Sequence, residues 1–295
     1  MKLLVIGHSV EDHINYEGKN KIAPGGIFYT ALTLLNVKEE KDEIFLNTSV
    51  QKENYQLFSS IYNLFDQRYF SFVERIPKVY LNVYNSKERG ETYENITKKL
   101  EIFPLDLSEF DGILINMITG FDLTIEQLSE IRDSYRGLIY FDVHTLARGL
   151  DENFHREFRK IPNFKRWASF LDIIQVNENE LLTLFDISDE IEIASEVLNC
   201  GPKLLIVTKG EMGSKIYSMN NNELSSTFVS SIKIKTENKI GCGDAFGAVF
   251  FYAYIQSENF NKALRIANNA AGCVASYADV SEFKNLKYDV FTRYN

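Results

Sequence analysis

Short apolar runs alternate with longer amphipathic stretches along the chain. The short runs predict buried strands, which we expect at Lys2–Ile6, Ile44–Thr48, Gly112–Asn116, Leu138–Asp142, Ile173–Val176 and Leu204–Thr208. The longer stretches predict helices at Ile27–Asn36, Asn54–Phe65, Ile125–Tyr135, Glu178–Phe185, Glu190–Asn199, Asp244–Gln256 and Asn261–Tyr277. Strands that alternate with helices predict an α/β fold whose mostly parallel sheet is covered by helices on both faces.

One region departs from this rhythm. From Phe70 to Lys99 apolar and polar residues alternate, and a turn at Lys87–Gly90 makes the pattern typical of a β-hairpin. Together with a short polar segment that ends at Pro24, it predicts a small sheet beside the α/β body. We therefore expect a single domain over residues 1–295, with an inserted lid formed by about 13–24 and 70–100. A surface hairpin without a role is the alternative.

Composition narrows the classes of partner. The 295 residues include 32 Lys and Arg against 41 Asp and Glu, a net charge of −9, which excludes a general nucleic-acid surface or a polybasic membrane patch. The longest uncharged apolar stretch, Ala245–Ile255, is far shorter than the roughly 20 residues of a membrane span. Cys200, Cys242 and Cys273 are widely spaced, which predicts reduced thiols and a cytoplasmic protein.

The segment Gly241-Cys242-Gly243-Asp244 precedes a long apolar helix. Glycines at such a position let backbone amides face outward, and the helix start adds unpaired donors and partial positive charge, so the segment predicts a site for a phosphate or an oxyanion. Asp244 is either an N-cap of the helix or a general base beside that site. A catalytic thiol at Cys242 is disfavoured, because no histidine lies near it in the sequence.

Residues 238–246 resemble the C-terminal signature of the PfkB/ribokinase family of carbohydrate and nucleoside kinases, D-T-x-G-A-G-D-x-F. Asn238-Lys239 stands in place of Asp-Thr, and Cys242 in place of Ala. Other segments are similar to family motifs and occur in the family's order. The first are Asp12 after the first strand and Gly25-Gly26, followed by Thr30 where the family has Asn. The later ones are Asn177-x-x-Glu180, Thr208-x-Gly210-x-x-Gly213 and the pair Asn268-Asn269, of which Asn269 aligns better.

This resemblance implies a ribokinase-like three-layer sandwich with a small β lid. It also implies an ATP-dependent kinase that phosphorylates a hydroxyl of a sugar or sugar-like polyol, with Asp244 as the base and the amides of Gly241, Cys242 and Gly243 as the anion hole. The implied ligands are ATP and Mg²⁺, with a monovalent cation left open. The remaining implied roles are substrate binding by Asp12, Gly25, Gly26 and Thr30, nucleotide binding by Thr208, Gly210, Gly213 and Asn269, and magnesium positioning by Asn177 and Glu180.

Several alternatives stay open at this point. The acceptor could be a nucleoside, the substituted Asn238-Lys239 could mark a catalytically idle ligand-binding member, or the Gly-Cys-Gly-Asp turn could only cap a helix in a scaffold protein. Homodimer formation through the lid is also open. Asp142, His144 and Arg148 follow a predicted strand and are candidates for substrate selection.

Overall fold

The structure, a computed structural model, describes residues 1–16, 18–83, 90–96, 99–102, 106–152 and 155–293. Its strands are, in chain order, β1 (Lys2–Ile6), β2 (Ser9–Tyr16), β3 (Lys19–Gly26), β4 (Glu43–Gln51), β5 (Phe70–Val73), β6 (Lys78–Val83), β7 (Gly90–Glu94), β8 (Gly112–Asn116), β9 (Leu138–Asp142), β10 (Arg148–Leu150), β11 (Arg156–Phe158), β12 (Ile173–Asn177), β13 (Leu204–Thr208), β14 (Gly213–Asn220) and β15 (Glu223–Ser230).

The helices pack on both faces of the larger sheet. In chain order they are α1 (Phe28–Val37), α2 (Ser59–Tyr62), α3 (Ile125–Ser134), α4 (Phe164–Ala168), α5 (Glu178–Leu181), α6 (Glu190–Asn199), α7 (Cys242–Ser257), α8 (Phe260–Ser276) and α9 (Leu286–Tyr288). No helix of the described segments combines the length and the apolarity that crossing a membrane requires.

The large sheet has the strand order β15-β14-β13-β12-β9-β8-β1-β4-β5 among the described residues. The seven strands from β13 to β5 run parallel to one another, and β14 and β15 continue the sheet as an antiparallel hairpin. Each predicted strand is present within this sheet, which confirms the mostly parallel α/β fold. The β14–β15 hairpin was not expected, because its exposed face breaks the apolar runs that mark parallel strands.

Two apolar layers sandwich the sheet. On one face, residues of α1, α7 and α8 form a continuous core with inward residues of the strands. The nine residues of α7 that follow Asp244 are all buried. On the other face, α3, α4 and α6 pack in the same way. Burial of these two layers accounts for the three-layer arrangement.

The order in which the strands are added to the sheet changes side at β1. The strand β1 pairs with β4 on one side and with β8 on the other, so the carboxyl ends of β1 and β8 border a topological switch point. Ligands of open α/β sheets bind at such points, and Asn116, the last residue of β8, lies there.

A second sheet has the order β3-β2-β6-β7, and we call it the small sheet. It covers much of the segments predicted as a lid, although it starts at Ser9 rather than at about residue 13. The segment predicted to begin at Phe70 differs more, because Phe70–Val73 pairs with β4 in the large sheet. Phe70 packs edge-on against the buried ring of Tyr62, 5.4 Å between centroids, which draws this strand into the body. Residues 87–89 of the predicted turn lie outside the described segments.

Two predicted helices are shorter in the structure. The segment predicted as Asn54–Phe65 forms a 3₁₀ turn, Tyr55–Leu57, and the single turn α2. Its Asn, Ser and aromatic residues have low helix propensity, and burial of Phe58 and Tyr62 outweighs helical periodicity there. The segment predicted as Glu178–Phe185 is helical only over α5.

Candidate active site

The start of α7 can be formed only by glycine. Gly241 is the N-cap residue with φ of +81°, a left-handed conformation that other residues rarely adopt. A Cβ atom at this position would also lie 2.5 Å from the ring of Tyr29. Since the helix begins here, the amides of residues 241–243, which the sequence predicts as an anion hole, lie at its amino end, where the partial positive charge is concentrated.

Asp244 lies in the first turn of α7, and its carboxylate accepts hydrogen bonds from two side chains. Asn116 Nδ2 donates a hydrogen bond of 3.0 Å to Asp244 Oδ1, and Thr30 Oγ1 donates one of 3.4 Å to the same oxygen. Asn116 Nδ2 also donates to Thr30 Oγ1 at 3.1 Å. These contacts join α1, β8 and α7, and they fix the orientation of a half-buried carboxylate.

Asp244 also faces a cleft of about 70 Å³, which we call the small cleft. The small sheet forms one wall and the start of α7 the other, and the lining residues are Val10, Asp12, Gly26, Tyr29, Val79, Leu81, Tyr93, Ile118, His144, Ile240, Gly241 and Asp244. The predicted substrate residues Asp12 and Gly26 therefore lie in one cleft with the predicted base. Of the three candidates after β9, His144 lines this cleft.

Two other predicted substrate residues have different positions. Gly25 lies against the carboxylate of Asp12, so closely that a Cβ atom would overlap it. Thr30 is fully buried and contacts Asp244 and Asn116 rather than the cleft. The hydroxyl of Thr30 is thus placed to orient Asp244, and its predicted role in substrate binding stays a prediction.

Tyr29 is a residue of the small cleft that the sequence did not single out. Burial, together with the negative charges of Asp12 and Asp244, raises the pKa of its phenol well above the ordinary value. The phenol therefore stays protonated at neutral pH and can donate a hydrogen bond. Its ring also supports Gly241, so this side chain serves both the cleft and the start of α7.

A second cleft, of about 620 Å³, opens on the other side of the same turn, and we call it the large cleft. The predicted nucleotide residues Thr208, Gly210 and Gly213 line it together with Cys242 and Gly243. Its lining also includes apolar residues, namely Ile232, Ile234, Phe246, Ala271 and Ala275. The predicted Asn269 is not among the residues that line this cleft, but its neighbour Asn268 is. Asn268 Nδ2 donates a hydrogen bond of 2.9 Å to Ser214 Oγ.

Asn177 and Glu180 form a reciprocal cap at the start of α5. Asn177 Oδ1 accepts a hydrogen bond of 2.9 Å from the Glu180 amide, and Glu180 Oε2 accepts one of 2.8 Å from the Asn177 amide. Asn177 Nδ2 donates to the second carboxylate oxygen at 2.7 Å. Asn177 is paired in register with Thr208 of the large cleft. Both carboxylate oxygens of Glu180 are thus already engaged by protein donors.

A buried carboxyl group lies behind this cap. Burial, with the charges of Glu180 and Asp244, raises the pKa of Asp142 well above its ordinary value. Gln175 donates through Nε2 to the carbonyl oxygen of Gly243 at 3.3 Å and accepts a hydrogen bond from the Tyr140 hydroxyl, so it links the sheet to the start of α7. Asp142, Glu180 and Asp244 therefore act on one another electrostatically, and burial keeps the Asp142 carboxyl group protonated to higher pH than an exposed one.

Cys242 remains a thiol. Burial and the charge of Asp244 raise its pKa to about 12, so the thiolate that a nucleophile requires is absent at neutral pH. All three cysteines are free, as expected. Cys242 therefore contributes its amide and its thiol packing to the turn, rather than covalent chemistry.

Comparisons with known proteins concern the family and the fold of the chain. Residues 146–285 match the family model described as pfkB family carbohydrate kinase. Ribokinase of Bacillus subtilis is 35% identical over 95 residues, which span 32% of this chain and 30% of that relative. The matched segment therefore covers less than a third of the ribokinase.

The fold is shared over nearly the whole chain. A pyrophosphate-dependent kinase in the ribokinase family, complexed with a pyrophosphate analogue and myo-inositol, has a TM-score of 0.76 at 18% identity and covers 96% of this chain and 99% of its own. Arabidopsis thaliana ribokinase complexed with ribose and ATP has a TM-score of 0.74 at 15% identity, with 98% of each chain covered. The fold is thus ribokinase-like. Over residues 146–285 the chain is also similar to the pfkB family carbohydrate kinases.

Proposed function

We propose that this protein is an ATP-dependent kinase that phosphorylates a hydroxyl group of a sugar or sugar-like polyol. One observation carries the proposal: the turn Gly241–Asp244 lines both clefts, with Gly241 and Asp244 in the small cleft and Cys242 and Gly243 in the large one. Phosphoryl transfer requires an acceptor oxygen and a donor phosphate to meet in line at a site that stabilises negative charge. Two clefts that join at the start of a helix meet this requirement.

In this proposal Asp244 is the general base. Its carboxylate accepts the proton of the acceptor hydroxyl while that oxygen bonds to the γ-phosphorus and the bond from this phosphorus to the bridging oxygen breaks, which releases ADP. Asn116 and Thr30 keep the carboxylate turned toward the small cleft. The amides of Gly241, Cys242 and Gly243 stabilise the charge that develops on the transferred group.

The residues also fit a hydrated magnesium ion, which would neutralise phosphate charge when bound. Asn177 and Glu180 would hold it through water, since the carboxylate oxygens of Glu180 are engaged by Asn177. A requirement for a monovalent cation has no comparable observation in its favour.

The small cleft favours a compact acceptor. Its volume of about 70 Å³ and its polar groups, Asp12, His144 and Asp244, suit the hydroxyls of a sugar or polyol. We propose that Asp12 accepts hydrogen bonds from substrate hydroxyls, that the backbone of Gly25 and Gly26 borders them, and that the protonated Tyr29 donates one. A nucleoside would also need room for its base, so we keep a nucleoside acceptor only as the alternative to a sugar or polyol.

The large cleft favours a nucleotide donor. Its volume of about 620 Å³ has room for a base as well as phosphates, and its lining combines glycines and hydroxyl groups, at Thr208, Gly210 and Gly213, with apolar side chains that suit a base. Inorganic pyrophosphate, the donor of one similar structure's protein by its description, would leave those apolar side chains unused. Asn268 rather than Asn269 is the amide we assign to this cleft.

We further propose that the small sheet acts as a lid, because it contributes Val10, Asp12, Val79, Leu81 and Tyr93 to the small cleft and would exclude water there. A homodimer through this sheet stays a prediction. The cytoplasm is the compartment we propose, in line with three free cysteines.

An ADP-release screen tests the function. Purified protein is incubated with ATP and magnesium against sugars, polyols and nucleosides, with pyrophosphate as a second donor and phosphate release as its readout. We expect turnover with one compact polyol or sugar and ATP. Turnover only with nucleosides would replace the acceptor class. ATP binding without any turnover would favour the idle ligand-binding alternative, and failure to bind ATP or pyrophosphate would favour the scaffold alternative.

A further inference from the structure

The segment between β15 and α7 brings lysines to the large cleft. Lys233 and Lys239 line this cleft, and neither forms an ion pair with a residue of the described segments. Lys235, between them in the chain, instead pairs with Glu237 at 2.6 Å, and its side chain is 85% exposed. One carboxylate, that of Glu211, also lines the cleft. The lining of the cleft therefore contains one acidic group and two lysines that form no ion pair within the described part of the chain.

Lys239 is the lysine nearer to the start of α7. It precedes the N-cap Gly241 by two residues, and it shares the cleft wall with Cys242 and Gly243. The charge of Lys239 reaches the turn, because it acts to lower the pKa of the Cys242 thiol, although burial and Asp244 outweigh it there. An ammonium group on a flexible side chain near the amides of a helix start adds a full positive charge to the partial positive charge of the helix.

The residues that precede Gly241 indicate which kind of ligand the charge of Lys239 would attract. Asn238 Oδ1 accepts a hydrogen bond of 2.9 Å from the Ile240 amide and so shapes the approach to Gly241. Lys239 follows Asn238 directly, at a position where the family signature has a neutral Thr. The substitution adds one positive charge to the lining of the large cleft. That charge suits the doubly charged terminal group of a phosphoanhydride better than a neutral ligand.

We propose that Lys239 binds the terminal phosphoanhydride of the phosphoryl donor, at the end of the large cleft next to Gly241–Gly243. This inference rests on the proposed kinase function and adds a donor-binding residue to it. The shared chemistry is the pyrophosphate unit, which is present both in ATP and in inorganic pyrophosphate. Lys239 thus strengthens binding of either donor and stabilises the charge on the transferred phosphoryl group.

Equilibrium binding tests the inference without requiring turnover. Dissociation constants for MgATP, pyrophosphate and adenosine are measured by calorimetry for the wild type, Lys239→Met, Lys239→Arg and the control Lys235→Met. Equal melting temperatures establish that the variants are folded. We expect Lys239→Met to weaken binding of MgATP or of pyrophosphate by roughly tenfold to a hundredfold, with adenosine unchanged. Lys239→Arg, which keeps the charge, and Lys235→Met should bind nearly as the wild type does.

The pattern of losses identifies the source of the anion. Weaker binding of MgATP supports a nucleotide donor, and weaker binding of pyrophosphate with no MgATP binding supports an inorganic donor. A folded Lys239→Met protein that binds both anions as tightly as the wild type overturns the inference. An equal loss of adenosine binding also overturns it, since the effect would then not concern phosphate. Wild type that binds donors but turns over no acceptor would instead count against the proposed function alone.

Discussion

Asn116, the last residue of β8, donates a hydrogen bond of 3.0 Å from Nδ2 to Oδ1 of Asp244, in the first turn of α7. The contact spans 128 residues of sequence and joins the topological switch point of the sheet to the helix that we propose binds phosphate. A hydrogen bond to the charged form of a carboxyl group favours ionisation and fixes the orientation of the lone pairs. Asn116 is therefore a positioning residue for the proposed base.

Replacing Asn116 should change the pH dependence of the reaction. In Asn116→Ala the carboxylate of Asp244 loses a donor, so we expect its pKa to rise and the acidic limb of the kcat/KM profile to move to higher pH. We also expect kcat at neutral pH to fall about tenfold or more. The measurement is kcat/KM for the acceptor against pH, at saturating ATP. An acidic limb that stays in place would contradict the positioning role.

Thr30 and Thr33 give a matched pair for the same site. Both hydroxyls are fully buried on α1, but Thr30 contacts Asp244 and Asn116, whereas Thr33 Oγ1 has no hydrogen-bond partner in the described structure. Thr30→Val should lower kcat, and Thr33→Val should leave it unchanged. Because Thr33→Val removes an unsatisfied buried hydroxyl, its free energy of unfolding should rise by up to about 1 kcal/mol. Equal losses of activity in both variants would indicate a general packing effect.

The start of α7 should be sensitive to a single methyl group. Gly241→Ala forces a left-handed residue and a contact with the Tyr29 ring, so we expect unfolding to become easier by at least about 1–2 kcal/mol. Gly243→Ala is the control, because a Cβ atom there would meet nothing closer than Gln175 Nε2, at 4.0 Å. Its stability should stay equal or rise slightly. Denaturant unfolding of both proteins measures the difference, and equal stabilities would contradict it.

Glu11 should contribute a pH-dependent part of the stability. Burial acts to raise its pKa, but hydrogen bonds from Asn54 and His13, with the charge of Lys78, outweigh burial and lower the pKa below its ordinary value of 4.5. Asn54 Nδ2 donates to Glu11 Oε2 at 2.6 Å, which ties the small sheet to the body. A lowered folded-state pKa stabilises the protein above the ordinary pKa, and this stabilisation is lost as the pH falls through the folded-state value.

Glu11→Gln tests this linkage. At neutral pH the variant should unfold more easily by on the order of 1 kcal/mol. The gap to the wild type should close as the pH falls, since the wild-type carboxylate then becomes neutral too. Unfolding free energies at neutral and acidic pH give the comparison, with Glu196→Gln, an exposed partner of Lys165, as the control. A gap that is independent of pH would show that charge is not the cause.

The body of the fold follows from the sequence because parallel strands are buried on both faces and appear as uninterrupted apolar runs. The bounds of β1, β8, β9, β13 and α6 agree with the predicted ones. The place of Phe70 in the large sheet was missed because it depends on pairing with the distant strand β4. The β14–β15 hairpin is local in sequence, but its exposed face interrupts the apolar runs that mark buried strands.

The candidate site residues that the sequence indicated belong to short local motifs. Gly241 to Asp244 form a contiguous turn, so their pattern shows in the sequence. Asn116 and Tyr29 had no such signal, since each meets the turn only through the folded sheet. The choice between Asn268 and Asn269 likewise depends on which side of α8 faces the large cleft, and one residue rotates that direction by about 100°.

We propose that Asp244 removes the proton of an acceptor hydroxyl at the start of α7, which borders both clefts. Asp244→Asn keeps the size of the side chain but removes the base, so we expect kcat to fall on the order of a hundredfold or more. Binding of ATP in the large cleft should be kept, because Asp244 lines the small one.

The measurement is the rate of ADP formation by wild type and Asp244→Asn with the acceptor that the screen identifies. ATP binding is determined on the same samples, so that a folding defect would be detected. A loss of at least about a hundredfold in kcat with unchanged ATP affinity is the predicted result. Turnover by Asp244→Asn at the wild-type rate would contradict the claim.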